Sequence, residues 1–135
     1  MANVSISNHR FISNFFDNGL GFQIKYESTN VAPEKTYRMG ACGGNFSTPH
    51  GIFTSPSYPN NYPNMADCIY TISQPTGTAI VLTFITMDIE SQSTCNWDYF
   101  EIRDGSSDDS PVLNKLCGND ISAPIQSSQN QVWMK

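Results

Sequence analysis

One short stretch near the N-terminus alternates strictly between apolar and polar residues. Residues 22–26 read Phe-Gln-Ile-Lys-Tyr, and a period of two places the apolar side chains on one face of an extended chain. The preceding residues 17–21, Asp-Asn-Gly-Leu-Gly, are rich in turn formers. The pattern predicts a half-buried strand that enters from a turn.

Downstream of residue 42, short strand-like runs alternate with loops rich in Pro, Gly, Asn and Ser. Many short strands at such spacing are typical of an antiparallel sandwich or barrel, and no segment has a helical period. The predicted fold class is therefore all-β. Residues 28–41 show no sustained period and are interpreted as a linker. The strand candidates are residues 51–54, 67–73, 79–89, 98–104, 112–117 and 131–135.

Charge and composition narrow the function classes. The 135 residues carry 7 basic and 12 acidic side chains, a formal net charge of −5, which argues against a nucleic-acid binder because such proteins need a basic surface. No apolar run reaches the ~20 residues of a transmembrane helix, so this segment is not expected to insert into a membrane. The first residues lack the apolar stretch of a signal peptide.

Four cysteines indicate an oxidising compartment. Their number is even, none forms a C-x-x-C pair, and only two histidines accompany them, so a zinc site is not expected. Two disulfides are the alternative, and they are typical of secreted proteins. Asn3-Val-Ser and Asn45-Phe-Ser are also glycosylation sequons. Disulfides without a signal peptide suggest a piece of a larger extracellular protein.

Residues 42–135 contain a series of motifs that resembles the CUB domain, a secreted β-sandwich module. The resemblance implies an antiparallel, jelly-roll-like β-sandwich with the disulfide pairs Cys42–Cys68 and Cys95–Cys117. In chain order, the motifs are Cys42-Gly-Gly, residues 51–63, Cys68-Ile-Tyr-Thr-Ile72, Ile80-Val-Leu-Thr-Phe84, Met87-Asp-Ile-Glu90, residues 95–105 and Leu116-Cys-Gly118.

The same resemblance divides the chain into modules. A closing Gly-Phe-x-x-x-Tyr strand would follow residue 135 in a complete domain, yet this pattern occurs at residues 21–26, after a Phe-Ile-Ser-Asn segment at residues 11–14. Residues 1–27 are therefore interpreted as the C-terminal strands of a preceding CUB domain and residues 42–135 as a CUB domain lacking its last strands. We expect residues 1–27 to pair with this sandwich, as in a circular permutation or a swapped dimer; the alternative is a frayed tail.

Calcium is the cofactor that the resemblance implies. Glu90 and Asp98 occupy two of the three acidic positions that bind Ca²⁺ in the family, and Tyr62 matches a tyrosine that orients them. Carboxylate oxygens suit this hard cation. The third position corresponds to Asn14, whose amide carries no charge, so weaker binding is expected. The alternative is a solvated acidic loop without a metal.

The expected function is that of a calcium-dependent, extracellular protein-binding module in a multi-domain endocytic receptor built of neighbouring CUB modules. A Lys or Arg of the partner would approach Glu90 and Asp98, with Trp97 as a possible aromatic anchor. The alternatives are a structural spacer or a non-catalytic accessory domain of a secreted protease.

An enzymatic activity is not expected from these residues. No nucleophile elbow, zinc-protease helix or phosphate-binding loop is present. His50 is expected to lie in a turn, and nothing places a nucleophile near His9. A glycosidase could use two carboxylates such as Glu90 and Asp98, but nothing supplies an aromatic sugar cleft.

Overall fold

The computed structural model describes residues 11–14, 18–28 and 35–135, and these residues form eleven β-strands. None of the described residues lies in a helix that is long and apolar enough to cross a membrane. The strands are β1 (Phe11–Ile12), β2 (Gly21–Ser28), β3 (Lys35–Gly40), β4 (Gly44–Phe46), β5 (His50–Pro56), β6 (Tyr70–Ser73), β7 (Ile80–Asp88), β8 (Tyr99–Asp104), β9 (Val112–Leu116), β10 (Ile125–Gln126) and β11 (Gln131–Met134).

The strands form two sheets that share one core. The first sheet has the order β1-β8-β11-β6-β4, with β9 also paired to β8, and the second has the order β10-β7-β2-β5-β3. The predicted all-β sandwich is thus confirmed. The sheets are mixed rather than wholly antiparallel, because β3 pairs with β5 and β4 with β6 in parallel. The chain passes from β3 into β4 of the other sheet before it returns as β5, so no hairpin joins the parallel neighbours.

The N-terminal segment completes both sheets. Strand β2 lies in the middle of the second sheet, hydrogen-bonded to β5 on one side and to β7 on the other. Strand β1 pairs with β8 of the first sheet. The predicted pairing of this segment with the sandwich is confirmed for residues 11–14 and 18–28, while Met1–Arg10 lie outside the described residues. Its assignment to a preceding module stays a prediction.

The interpretation of residues 28–41 as a linker is wrong for most of its described part. Ser28 ends β2, and residues 35–40 form β3 at the edge of the second sheet. Strand β3 needs no alternating sequence of its own, since its backbone groups pair with β5. Edge pairing of this kind depends on a neighbouring strand and leaves little trace in the local sequence.

An aromatic cluster fills the space between the sheets. The ring of Phe22 in β2 lies 5.3 Å from Phe11, 5.6 Å from Tyr70 and 4.5 Å from Phe100, measured between centroids. Phe22 and Phe11 are completely buried, and their edge-to-face geometry is favourable for aromatic pairs. The N-terminal segment therefore contributes to the centre of the core.

Two disulfides hold the first sheet at its margins. Cys42 is bonded to Cys68 and Cys95 to Cys117, the pairing that the resemblance implies. The second bridge ties the loop before β8 to the end of β9. Loops of this size correspond to about 3 kcal/mol of denatured-state entropy each.

Replacing Phe22 with Ala should destabilise the whole sandwich. The change removes a fully buried ring from the junction of both sheets, and a buried Phe→Ala change costs about 3–5 kcal/mol. Urea unfolding followed by tryptophan fluorescence measures the loss. Lys25→Ala is the matched control on the outer face of β2, where Lys25 forms an exposed pair with Glu27 at 3.7 Å; it should cost under about 1 kcal/mol. Equal losses would contradict the central role of β2.

Candidate functional site

The ends of three strands meet at one end of the sandwich. Asn14 follows β1, Glu90 follows β7, and Asp98 immediately precedes β8. Two strand pairings bring these ends together. Strand β1 pairs with β8, and strand β2, which follows Asn14 in the chain, pairs with β7. The structure thus brings together the residues that the sequence proposed as calcium ligands.

Tyr62 links the two carboxylate-bearing segments. Its hydroxyl donates to Asp98 Oδ2 at 2.8 Å and accepts the backbone N–H of Glu90 at 3.1 Å. Burial is the main cause that raises the pKa of Tyr62, so the hydroxyl keeps its proton and donates. The structure places Tyr62 where the resemblance predicts an orienting tyrosine.

Asn14 makes two hydrogen bonds to the acidic pair. Its backbone N–H donates to Asp98 Oδ1, and its side-chain Nδ2 donates to Glu90 Oε2 at 2.6 Å. The N-terminal segment therefore supplies a group to a site whose other members come from residues 62–98. This junction satisfies one oxygen of Glu90 and one of Asp98.

The Asp98 carboxylate is completely buried. Burial raises the pKa of Asp98, and the negative charge of Glu90 raises it further, while the hydrogen bonds from Tyr62 and Asn14 lower it. A buried carboxylate beside a second one is unfavourable unless a positive charge compensates it. The site is thus electrostatically suited to a cation.

The donor set fits a hard cation in chemistry. Glu90 and Asp98 offer carboxylate oxygens, each of which can accept more than one bond, and rotation of the Asn14 amide would turn Oδ1 towards them. Among residues 11–14, 18–28 and 35–135, no group of three or more His, Cys, Asp or Glu side chains is placed to hold a metal. A cation bound here would need backbone or water oxygens in addition, since Ca²⁺ takes 6–8 ligands at about 2.3–2.6 Å.

A groove of about 440 Å³ lies beside Glu90. It is lined in part by Gly19, Asp88, Glu90 and Trp97, and the Trp97 side chain is 52% exposed. Asp88 Oδ2 accepts the backbone N–H of Leu20 at 3.0 Å. Residue 19 must be a glycine because its backbone lies close to that of Asp88. A Cβ at this position would lie 2.1 Å from the Asp88 carbonyl oxygen.

Asp88 and the loop at residues 18–20 were missed as site residues. Asp88 stands inside the Met87-Asp-Ile-Glu90 motif without a role of its own, and the position of the loop depends on how β2 pairs in the sheet. The position of Asp88 as the last residue of β7 is the signal that could have identified it, since loop-facing strand ends often carry function.

Other sequence candidates lie elsewhere or outside the described residues. Acidic side chains at the two ends of β8 are far apart, because Asp98 precedes and Asp104 ends a strand on the order of 20 Å long. Asp104 accepts the backbone N–H of Ser128 at 3.0 Å. The expectation that His50 lies in a turn is wrong, because it is the first residue of β5, where its Nδ1 lies 3.9 Å from Glu27 Oε2. Asn45 is exposed on β4, and Asn3 and His9 lie outside the described residues.

Comparisons with known proteins identify the relatives of this chain. Residues 42–135 match the family model described as CUB domain. Tolloid-like protein 1 of Mus musculus is 36% identical over 124 residues, covering 88% of this chain and 12% of that protein. Cubilin of Homo sapiens is 37% identical over 122 residues, covering 90% of this chain and 3% of that protein. Bone morphogenetic protein 1 of Xenopus laevis is 39% identical over 118 residues, covering 87% of this chain and 15% of that protein.

These alignments cover more of the chain than residues 42–135 do, so they extend upstream of Cys42. The chain spans only a small part of each relative. Similarity to these proteins therefore applies to residues 42–135 and part of the chain upstream of Cys42, not to the whole length of any relative.

Replacing Tyr62 with Phe should destabilise the protein by about 1–3 kcal/mol, because a buried carboxylate oxygen and a backbone N–H each lose a partner. Chemical denaturation in the presence of a chelator measures this effect without a metal contribution. Tyr58→Phe is the matched control in the same loop, where the side chain is half-buried, and it should have little effect. Equal stabilities for the two variants would contradict the structural role of the Tyr62 hydroxyl.

Proposed function

The chain belongs to the CUB domain family, and we propose that its module binds calcium at Glu90 and Asp98 and uses that site to capture a basic side chain of an extracellular protein. CUB domains are non-catalytic protein-interaction modules. The module is extracellular, in keeping with its two disulfides, which persist in oxidising compartments.

The observation that carries the calcium proposal is the fully buried Asp98 carboxylate next to Glu90, with Tyr62 and Asn14 as its described hydrogen-bond donors. These donors are neutral, so they orient the acid without neutralising it. A divalent cation would compensate the charge of both carboxylates. It would also join the ends of β1, β7 and β8, which favours an ordered loop at residues 90–98.

The groove next to the site supports a basic partner. Asp88 and Glu90 contribute negative charge, and exposed Trp97 offers an aromatic face to an ammonium or guanidinium group. Complementary charge speeds association and selects against acidic partners. We propose that Lys or Arg of the partner approaches through this groove.

The parent protein is proposed to be a multi-domain receptor of the cubilin type, with neighbouring CUB modules as structural partners and an endocytic role. An accessory module of a tolloid-type protease is the second candidate, favoured by comparable identities to tolloid-like protein 1. A spacer that only separates other modules is the third. It is disfavoured by the groove with an exposed tryptophan. Asn3 and Asn45 are proposed glycosylation sites.

Calcium should stabilise the wild-type chain and not the acidic-site variants. At a calcium concentration about tenfold above Kd, mass action adds about 1.4 kcal/mol to the free energy of unfolding. Thermal unfolding with calcium and with chelator measures the difference. Glu90→Gln and Asp98→Asn should each abolish it, since each removes a charged ligand of nearly unchanged shape.

Asp108→Asn is the matched control for this experiment, because Asp108 is an exposed acid beyond the far end of β8. It should keep the full calcium response. A calcium response that survives in both site variants would overturn the assigned ligands, and no response in the wild type would overturn the proposed metal.

A short lysine-containing peptide should perturb Trp97 when calcium is present. Tryptophan fluorescence of the Trp133→Phe variant isolates the signal of Trp97, since Trp133 is the other tryptophan. The same peptide with an acetylated lysine side chain should bind at least tenfold more weakly, because it lacks the charge. Equal responses to the two peptides would contradict recognition of a basic group.

A further inference from the structure

Strand β1 lies in line with β11 along the same side of β8. Strand β11 pairs with β8 up to Met134 opposite Ile102, and Lys135 then exchanges two backbone hydrogen bonds with Glu101. The following two positions of β8, Phe100 and Tyr99, are paired with Phe11 and Ile12 of β1. No position of β8 is skipped between the two strands.

The side of β11 and β1 that faces away from β8 shows the same continuous register. Met134 pairs with Tyr70 of β6, the N–H of Cys68 donates to the Phe11 carbonyl at 2.8 Å, and Ile12 pairs with Asp67. Strands β1 and β11 therefore lie end to end in the first sheet and are bordered by the same two neighbouring segments. Residues 11–14 and 18–28 contact the rest of the sandwich non-covalently, and residues 29–34 are their covalent connection to β3.

We infer that residues 11–28 exchange between two copies of this chain, so that each copy completes the sandwich of the other. An incoming segment from a second copy meets the same strands, the same aromatic core and the same register. In the exchanged dimer each acidic site contains residues of both chains, with Asn14 from one copy and Tyr62, Glu90 and Asp98 from the other. A reciprocal exchange of this kind closes with two-fold symmetry.

The length of the connection sets the balance between the two forms. Ser28 and Lys35 lie on opposite sides of β5, since the N–H of Ser28 donates to the Pro49 carbonyl and Lys35 pairs with His50. They are separated by two strand spacings, which together make about 10 Å. Six intervening residues span this distance with length to spare, which favours the monomer at low concentration.

Deleting residues 31–34 reverses this balance. In the shortened chain, three Cα–Cα steps connect Ser28 to Lys35, and they reach about 11 Å when fully extended. This reach leaves no length for the chain to pass around the end of β5. The segment can still insert into a second copy. Ser28 and Lys35 then lie in different sandwiches, whose relative position can adjust to the short connection. The shortened chain should therefore be dimeric, with twice the mass of the wild type, at all concentrations where it folds.

The full-length wild-type connection is tested by trapping. Lys25 of β2 and Thr83 of β7 are direct partners in the sheet. One copy carries Lys25→Cys and a second copy Thr83→Cys. The two are refolded together at millimolar concentration, near the effective concentration of a short linker, and analysed without reductant. A disulfide-linked heterodimer is expected, and the fraction should fall at least tenfold when refolding is done at micromolar concentration.

The control mixture pairs Lys25→Cys with Lys115→Cys, which lies on β9 of the other sheet, and should give only background cross-linking. Absence of the Lys25–Thr83 heterodimer above this background overturns the proposal, whether or not the shortened chain folds. A shortened chain that is folded and monomeric overturns it as well. Both measurements are made in chelator, so their failure is independent of the proposed calcium site.

A further measurement, the exchange rate in the presence of calcium, rests on the proposed function. Asn14 belongs to the exchanging segment and Glu90 and Asp98 to its acceptor, so a cation that joins them stabilises the inserted segment equally in monomer and dimer. Calcium should slow the exchange of folded, mixed copies at least tenfold and leave the final ratio unchanged. An unchanged rate would count against the calcium site, and a changed ratio against identical contacts in the two forms.

Discussion

The pairing of β2 with both of its neighbours is the constraint on which the rest of the structure depends. A strand in the middle of a sheet must satisfy its backbone groups on two sides, and β2 does so with β5 and β7. The same strand places Phe22 among the aromatic rings of the core. Without it the second sheet would divide into two parts with unpaired edges.

The acidic site is a consequence of this insertion. Once β2 is in place, Asn14 is held at the end of the sandwich, where it donates to Asp98 and Glu90. Tyr62 fixes the same two segments from a different loop. The fold thus surrounds the buried Asp98 carboxylate with groups from distant parts of the chain. The packed core stabilises this geometry against the repulsion between Glu90 and Asp98.

This arrangement also explains why a non-catalytic module can have a specific site. Neutral donors hold both carboxylates, and Glu90 lines a groove that also contains the exposed aromatic side chain of Trp97. No nucleophile or base is needed for recognition of a cation or a basic side chain. The remaining acids around Asp104 lie at the other end of β8 and contribute to the net charge rather than to this site.

The sequence by itself determined the all-β class, the alternation of residues 22–26 and, through family motifs, the disulfide pairs and the cluster of Asn14, Tyr62, Glu90 and Asp98. Only the tertiary structure decided that residues 35–40 form a strand, that two pairings are parallel, and that Asp88 joins the groove. The reason is physical: alternation and motif spacing are local properties of the chain, whereas a strand's partners and the loops facing a site are set by hydrogen bonds and packing between distant segments.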